Sequence, residues 1–220
     1  MIYTLKDFTN WEEMKNKVIM ADCLEAMKLI PDKSIDLILT DPPYGLGIDG
    51  QKQSINKNPK HNRKAHEFKG WDGGIPSEEI FQQIFRISKN QIIWGGNYFV
   101  KYLNEGHKGW LFWSKGQEGL TMSDGEFAYS SFDVPSRLIK FNRVEILKDG
   151  ALHPTQKPVE LMRWILENYS KPTDLILDPF MGSWTTARAC KDLGRNFIGF
   201  ELEEDYCKVG EERLRQENLF

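Results

Sequence analysis

Four consecutive residues, Asp41-Pro42-Pro43-Tyr44, carry the most specific chemistry in this 220-residue chain. The prolines have no backbone N–H and hold φ at about −65°. The Pro42 carbonyl is therefore not expected to be used up by a regular ladder or helix, and the Asp41 carboxylate stands beside it. Two acceptors side by side can take both hydrogens of an exocyclic –NH2 group. Such an amine is a poor nucleophile, because its lone pair is delocalised into the ring. Pulling on both hydrogens localises the lone pair and lets it attack an electrophilic methyl group. Tyr44 offers a flat face on which a base could stack. The competing reading is a tight turn after the strand Ile35-Asp36-Leu37-Ile38-Leu39, which runs through Thr40 into the tetrapeptide.

A second group of residues has the spacing of a nucleoside site. Asp178 follows the apolar run Leu175-Ile176-Leu177, and Gly182-Ser183 then turns into a helix. Glu201 follows Phe197-Ile198-Gly199-Phe200, 23 residues beyond Asp178. An acid about 20 residues past the first strand–helix turn suits ribose hydroxyls. The turn Asp178-Pro179-Phe180-Met181-Gly182-Ser183-Trp184 holds one glycine and no GxGxxG. It is not built to bring a pyrophosphate onto the backbone. An adenosine cofactor without phosphates fits better, and S-adenosylmethionine is the expected one. An ordinary turn with two surface acids is the alternative.

These groups need strands to carry them. Val18 to Met20, Ile35 to Leu39, Gln91 to Trp94 and Trp110 to Trp113 read as strands, as do Glu126 to Phe132, Arg137 to Phe141, Leu175 to Leu177 and Phe197 to Phe200. Helical periodicity runs over Leu24 to Ile30, over Val159 to Tyr169, from about Trp184 to Leu193 with Gly194 as its stop, and over Glu203 to Gln216. Another helix starts at Pro76-Ser77, with Ser77 as N-cap and Ile80, Phe81, Ile84 and Phe85 on one face. Alternating strands and helices predict one α/β domain over 1–220, a Rossmann-like doubly wound and mostly parallel sheet with helices on both faces. Ligands of such sheets sit at the C-terminal strand ends.

Composition bounds the rest. The length is that of one domain, against a prior of roughly 150 residues. With 40% hydrophobic and 12% aromatic residues, global disorder is not expected. No apolar run approaches the roughly 18 residues of a membrane span, and no membrane partner is expected. The N-terminus lacks a secretory h-region. Cys23, Cys190 and Cys207 form no CxxC or Cys/His cluster, so neither a disulfide framework nor a metal site is expected. A reduced, cytoplasmic protein follows. The net charge of −3 is not that of a simple nucleic-acid coat, but it averages unlike parts. Residues 45–70 hold Asp49 and Glu67 against Lys52, Lys57, Lys60, Arg63, Lys64 and Lys69, a local balance of +4. The remainder carries −7. This arm is either a solvated loop or a segment that meets phosphates.

In ordered set, these motifs resemble the beta-type (permuted) DNA amino-methyltransferases that use S-adenosylmethionine, of the adenine-N6 type with a DPPY tetrapeptide. The resemblance covers nearly the whole chain. Asp41-Pro42-Pro43-Tyr44 is similar to the family's catalytic tetrapeptide, and His153-Pro154-Thr155-Gln156-Lys157-Pro158 to the motif before its cofactor strand. Asp178 to Ser183 resembles its cofactor loop, and Gly199-Phe200-Glu201 its ribose-binding strand end. Asp22-Cys23, with Leu24 to Ile30 and Pro31-Asp32, resembles the segment whose acid reads the adenine ring of the cofactor. The order, catalytic tetrapeptide first and cofactor loop last, is that of the permuted class.

The resemblance implies direct transfer to a flipped adenine in double-stranded DNA, with Asp41, Pro42, Pro43 and Tyr44 as catalytic residues. It implies a cofactor site of Asp22, Cys23, Asp41, Lys157, Asp178, Phe180, Gly182, Ser183, Thr185, Glu201 and Leu202. No Pro-Cys pair is present, which independently excludes the cytosine-C5 mechanism. Asp at the head of the tetrapeptide favours adenine over cytosine-N4, the nearest alternative. RNA or a protein amide is a further alternative acceptor, and a non-catalytic DNA-binding relative is the rival from another class. Residues 45–70 are the expected DNA contact, where Asn56, Asn58 and Asn62 could also read base edges. Residues 114–150 are a short target-recognition segment. A homodimer and a cognate restriction enzyme are the further partners considered.

Other residues have two readings each. His153 shapes its loop rather than acting as a base, since Asp41 is available. Lys157 meets the cofactor's methionine carboxylate or is a surface lysine. Gly95-Gly96-Asn97-Tyr98 either lines the base site through Asn97 and Tyr98 or is a glycine turn. Trp71, Trp94, Trp110 and Trp113 are read as packing. Trp184 replaces the small residue the family places after Gly-Ser, and its indole either crowds the cofactor or packs beneath it.

Overall fold

The computed structural model describes residues 2–47, 73–103, 108–116, 123–141 and 156–215. The basic side chains Lys52 to Lys69, together with Trp71 and His153, lie outside them, as do residues 117–122 and 142–150 of the expected recognition segment.

Eight strands form one sheet in the order β1-β8-β7-β2-β3-β5-β4-β6. They are β1 (Lys17–Met20), β2 (Ile35–Thr40), β3 (Ser88–Trp94), β4 (Trp110–Ser114), β5 (Gly125–Ser130), β6 (Arg137–Lys140), β7 (Leu175–Asp178) and β8 (Asn196–Glu201). From β1 across to β3 every pair is parallel. Among the described residues five α-helices accompany them: α1 (Cys23–Lys28), α2 (Glu78–Ile87), α3 (Val159–Tyr169), α4 (Thr185–Asp192) and α5 (Glu204–Arg215). The expected strand–helix alternation stops at residue 110. There β4, β5 and β6 follow one another with links too short for crossover helices, and β5 pairs antiparallel with both β3 and β4.

The central strands are apolar on both faces because helices cover both. Leu37 and Leu39 of β2 join one core layer with Leu161, Ile165 and Leu166 of α3 and with Ala187 and Cys190 of α4. Ile38 joins the other, with Ala26 and Met27 of α1 and Phe81, Ile84 and Ile87 of α2. Ser77 sits at the N-cap of α2 as expected, but its side chain makes no capping bond. The three cysteines are buried free thiols. Among the described residues, no helix is long and apolar enough to cross a membrane.

The chain lays down β1 at one edge, crosses to place β2 and β3 further in, and later fills the gap between β1 and β2 with β7 and then β8, which run outward toward β1. The direction reverses between β7 and β2, and crevices at such reversals hold ligands. The Thr40 hydroxyl of β2 donates to Asp178 Oδ1 of β7 at 2.7 Å, tying the two strand ends together.

Candidate active site

At these strand ends lies a cavity of about 230 Å³. Asp41, Pro42, Pro43 and Tyr44 line it after β2, Phe180 and Gly182 after β7, Glu201 and Leu202 after β8, and Asp22 and Cys23 after β1. Segments far apart in sequence thus meet because their strands are neighbours. Lys157, Asp178, Ser183 and Thr185 line a smaller adjoining cavity that shares Asp41, Phe180 and Gly182 with the first.

The cofactor loop is held from within. Asp178 is buried; it accepts from Thr40, from Thr186 Oγ1 at 2.7 Å and from the Phe180 N–H at 3.0 Å. Its carboxylate therefore shapes the loop, and burial pushes its pKa up to about 6. Glu201 accepts the Gly182 N–H at 2.6 Å and the Glu203 N–H at 2.8 Å, and burial pushes it up to about 7. Asp22 caps α1 through Oδ1, accepting from Leu24 and Glu25 N–H. Among the described residues, the main cavity's charged lining is Asp22, Asp41, Glu201 and Glu203, with no basic side chain. Acids beside Phe180, Phe200 and Ile80 suit ribose hydroxyls, an adenine and a positively charged sulfonium, and they repel a pyrophosphate. The residues fit S-adenosylmethionine.

The tetrapeptide sits against a charge network. Asp41 Oδ1 accepts the Tyr44 hydroxyl at 2.6 Å, and Oδ2 lies 2.6 Å from Lys157 Nζ. Lys157 is 3% exposed along its side chain and also pairs with Glu126 of β5 at 2.8 Å. The surface-lysine reading of Lys157 is thereby overturned. Its charge is already shared by two carboxylates, so a cofactor carboxylate would meet a lysine turned inward. Burial pushes the Asp41 carboxyl above its ordinary range against the pull of Lys157. Burial opposes the Lys157 charge, but Asp41 and Glu126 outweigh it and raise its pKa.

Tyr44 is not an open platform. Its ring stacks on Tyr98, and it packs so closely on Gly95 that a Cβ there would lie 2.2 Å from Cε1. Gly95 is left-handed at φ 70°, so it serves both the turn and the close approach. Both Asn97 and Tyr98 are exposed, and Tyr98 reaches the tetrapeptide through this stacking.

Trp184 does not enter the cavity. It caps α4 at φ 63°, is 4% exposed, and faces Gly210 of α5, where a Cβ would fall 2.1 Å from the indole. It lines neither cavity. The helix expected from about Trp184 to Leu193 is thus present with those residues as its caps, and the physical basis of the blocked-pocket rival is removed.

Several site residues have no signal in the motifs. Arg213 of α5 is 5% exposed and reaches back to the cofactor loop. Its guanidinium donates to the Ser183 carbonyl at 2.9 Å, to Ser183 Oγ at 3.2 Å and to Thr185 Oγ1 at 3.0 Å. Tyr206 and Ile80 line the cavity through helix faces that periodicity assigns to packing. Glu126 reaches the tetrapeptide only through the sheet order. Thr40, the last residue of β2, is likewise not singled out by the motifs; it reaches Asp178 because β2 and β7 are neighbours.

Asp41 to Tyr44 and an acidic cavity meet at one strand-end crevice, the arrangement expected of S-adenosylmethionine-dependent amino-methyltransferases. The family model described as DNA methylase matches residues 78–212, more than half of the chain, and the chain belongs to that family. Type II methyltransferase M.HinfI of Haemophilus influenzae is 29% identical over 256 residues, spanning 94% of this chain and 70% of that protein. DNA adenine methyltransferase YhdJ of Escherichia coli (strain K12) is 27% identical, spanning 90% and 82%. The M1.HpyAVI structure in complex with S-adenosylmethionine superposes with a TM-score of 0.62 at 25% identity, over 90% of this chain and 98% of that one. The cytosine-N4-specific PvuII DNA methyltransferase reaches 0.64 at 17% identity over 93% and 88%, a likeness of fold alone.

Proposed function

We propose that this DNA methyltransferase transfers the methyl group of S-adenosylmethionine to the exocyclic N6 amine of adenine in DNA. One observation carries the reading: Asp41 and Pro42 line the same cavity as Asp22, Gly182 and Glu201. When bound, the cofactor supplies an electrophilic methyl group on a sulfonium. Glu201 and Asp22 would hold its ribose and adenine, and Phe180 would pack on it. The chain's own task is to prepare the amine. The Asp41 carboxylate and the Pro42 carbonyl accept its two hydrogens, which localises the lone pair on nitrogen. Asp41 then takes the proton that the methylated nitrogen must lose, a role its raised proton affinity favours. The target must leave the base stack to reach this turn, at a cost of about a few kcal/mol.

One of the two relatives supports adenine, being named a DNA adenine methyltransferase. The residues at 51–69 contact phosphates, residues 114–150 read the target sequence, and the reaction takes place in the cytoplasm. A restriction partner belongs to the same reading, since M.HinfI is named a type II methyltransferase. A second copy of the chain is the remaining partner, which sedimentation would detect.

The test is incubation with S-adenosylmethionine and mixed-sequence DNA, followed by nucleoside mass spectrometry. N6-methyladenine is expected, and N4-methylcytosine alone would overturn the base assignment. Replacing the six bases of the arm by Gln is expected to flatten the salt dependence of DNA binding. The slope should shrink by about 0.9 for each phosphate that is no longer neutralised.

A further inference from the structure

Glu126 lies in no motif, yet it stands behind the catalytic turn. It lines neither cavity. Its Oε2 lies 2.8 Å from Lys157 Nζ and 3.2 Å from the Tyr44 hydroxyl, and its other oxygen pairs with Lys115. Those same two groups, Lys157 and Tyr44, hold the two oxygens of Asp41. Both restraints on the catalytic carboxylate are therefore themselves anchored on Glu126.

The charges divide accordingly. Asp41 faces Lys157 from the segment before α3, Glu126 from β5, Tyr44 from its own loop and Asp178 from β7, and Lys115 lies beyond Glu126. Lys157 is shared between two carboxylates. If Glu126 were neutral, the full charge of Lys157 would fall on Asp41, weakening it as an acceptor. The Tyr44 hydroxyl would keep only one of its two carboxylate partners. We infer that Glu126 is a positioning residue for methyl transfer: it fixes Asp41 through Tyr44 and Lys157 and withholds part of the lysine's charge from it. This inference rests on the proposed amine methylation and adds a residue to it.

The sign of the charge effect separates this role from plain packing. Glu126 repels the negative charge of Asp41 and so raises its proton affinity. Glu126→Gln removes that repulsion, and the acid limb of the kcat profile should move to lower pH. At the plateau kcat should fall between about 10- and 100-fold, because a displaced and weakened acceptor holds the amine poorly. Cofactor affinity by calorimetry should stay within about twofold, since Glu126 does not line the cavity. Transfer is read as labelled methyl groups entering DNA, whichever base accepts them. Wild-type kcat with an unmoved acid limb in Glu126→Gln would overturn the inference, as would a kcat loss matched by lost cofactor affinity. If Gln does not fold, Glu126→Asp keeps the charge and shortens the reach. That variant should lose kcat with the acid limb in place, and a wild-type kcat there also overturns the inference. If the wild type transfers no methyl group to DNA, the functional reading falls and this inference with it. If the wild type transfers and Glu126→Gln matches it, only the inference falls.

Discussion

Tyr98 lies flat on Tyr44, with ring centroids 4.9 Å apart and planes inclined by 17°. It is 43% exposed and follows the left-handed Gly95. Tyr98 therefore occupies a face of Tyr44 that an extruded base would need. An aromatic pair of this kind contributes about 0.5–1.5 kcal/mol, which an incoming base must displace. Tyr98→Ala is expected to tighten base capture by up to about tenfold. The check is the fluorescence of 2-aminopurine placed at the methylated adenine; unchanged or weaker capture would count against a place-holding role.

Glu201 sets a pH dependence whose two halves run in opposite directions. Its folded pKa of about 7 lies above the ordinary carboxylate range. Between that range and 7 the folded protein binds more protons than the unfolded chain, so unliganded stability falls as pH rises through the window. Asp178, at about 6, adds the same sign. Cofactor binding follows the reverse trend, because gripping hydroxyls needs the ionised carboxylate. Calorimetric affinity should rise between about pH 6 and about pH 8, and Glu201→Gln should flatten that rise.

Trp184 and Gly210 should behave as a coupled pair. Gly210→Ala places a methyl group 2.1 Å from the indole and should cost about 1–3 kcal/mol. Trp184→Ala empties a buried site and should cost about 3–5 kcal/mol. In that background Gly210→Ala should cost little more. Trp184→Gly should be less harmful than Trp184→Ala by about 1 kcal/mol, because φ is positive at this position. Denaturant unfolding of the four variants checks the order. Cofactor affinity should survive in each that folds, since the indole faces away from the cavity.

Arg213→Met tests the loop's rear support. It leaves the Ser183 carbonyl and the Thr185 hydroxyl without their guanidinium donor, at about 1–3 kcal/mol for each group not resatisfied. The expected kinetic signature is a raised KM for cofactor with DNA affinity unchanged. Equal losses in both would point to general unfolding instead.

Residues at strand ends are legible in the sequence because an apolar run followed by Asp, Pro or Gly is a local pattern. Asp41, Asp178 and Glu201 all lie where that pattern puts them. The parallel centre of the sheet is legible for the same reason, since helices of full length separate its strands. The antiparallel extension is less so: Trp110 to Lys140 reads as strands, but nothing local says that β5 enters between β3 and β4. Glu126 depends on that insertion, and Arg213 on the packing of α5 against the cofactor loop. Trp184 escapes a local reading for a related reason. A bulky residue at a left-handed position makes sense only once Gly210, 26 residues later, is seen opposite it.

The bond from Thr40 to Asp178 spans 138 residues. At ordinary rates of translation the ribosome delivers Asp178 on the order of ten seconds after Thr40. Until then β2 lacks its neighbour on the β7 side and presents an open edge. A polypeptide ending before β7 would carry Asp22, Cys23 and Asp41 to Tyr44 but lack Phe180, Gly182 and Glu201. The cavity at the strand ends is thus closed only once β7 and β8 have been made.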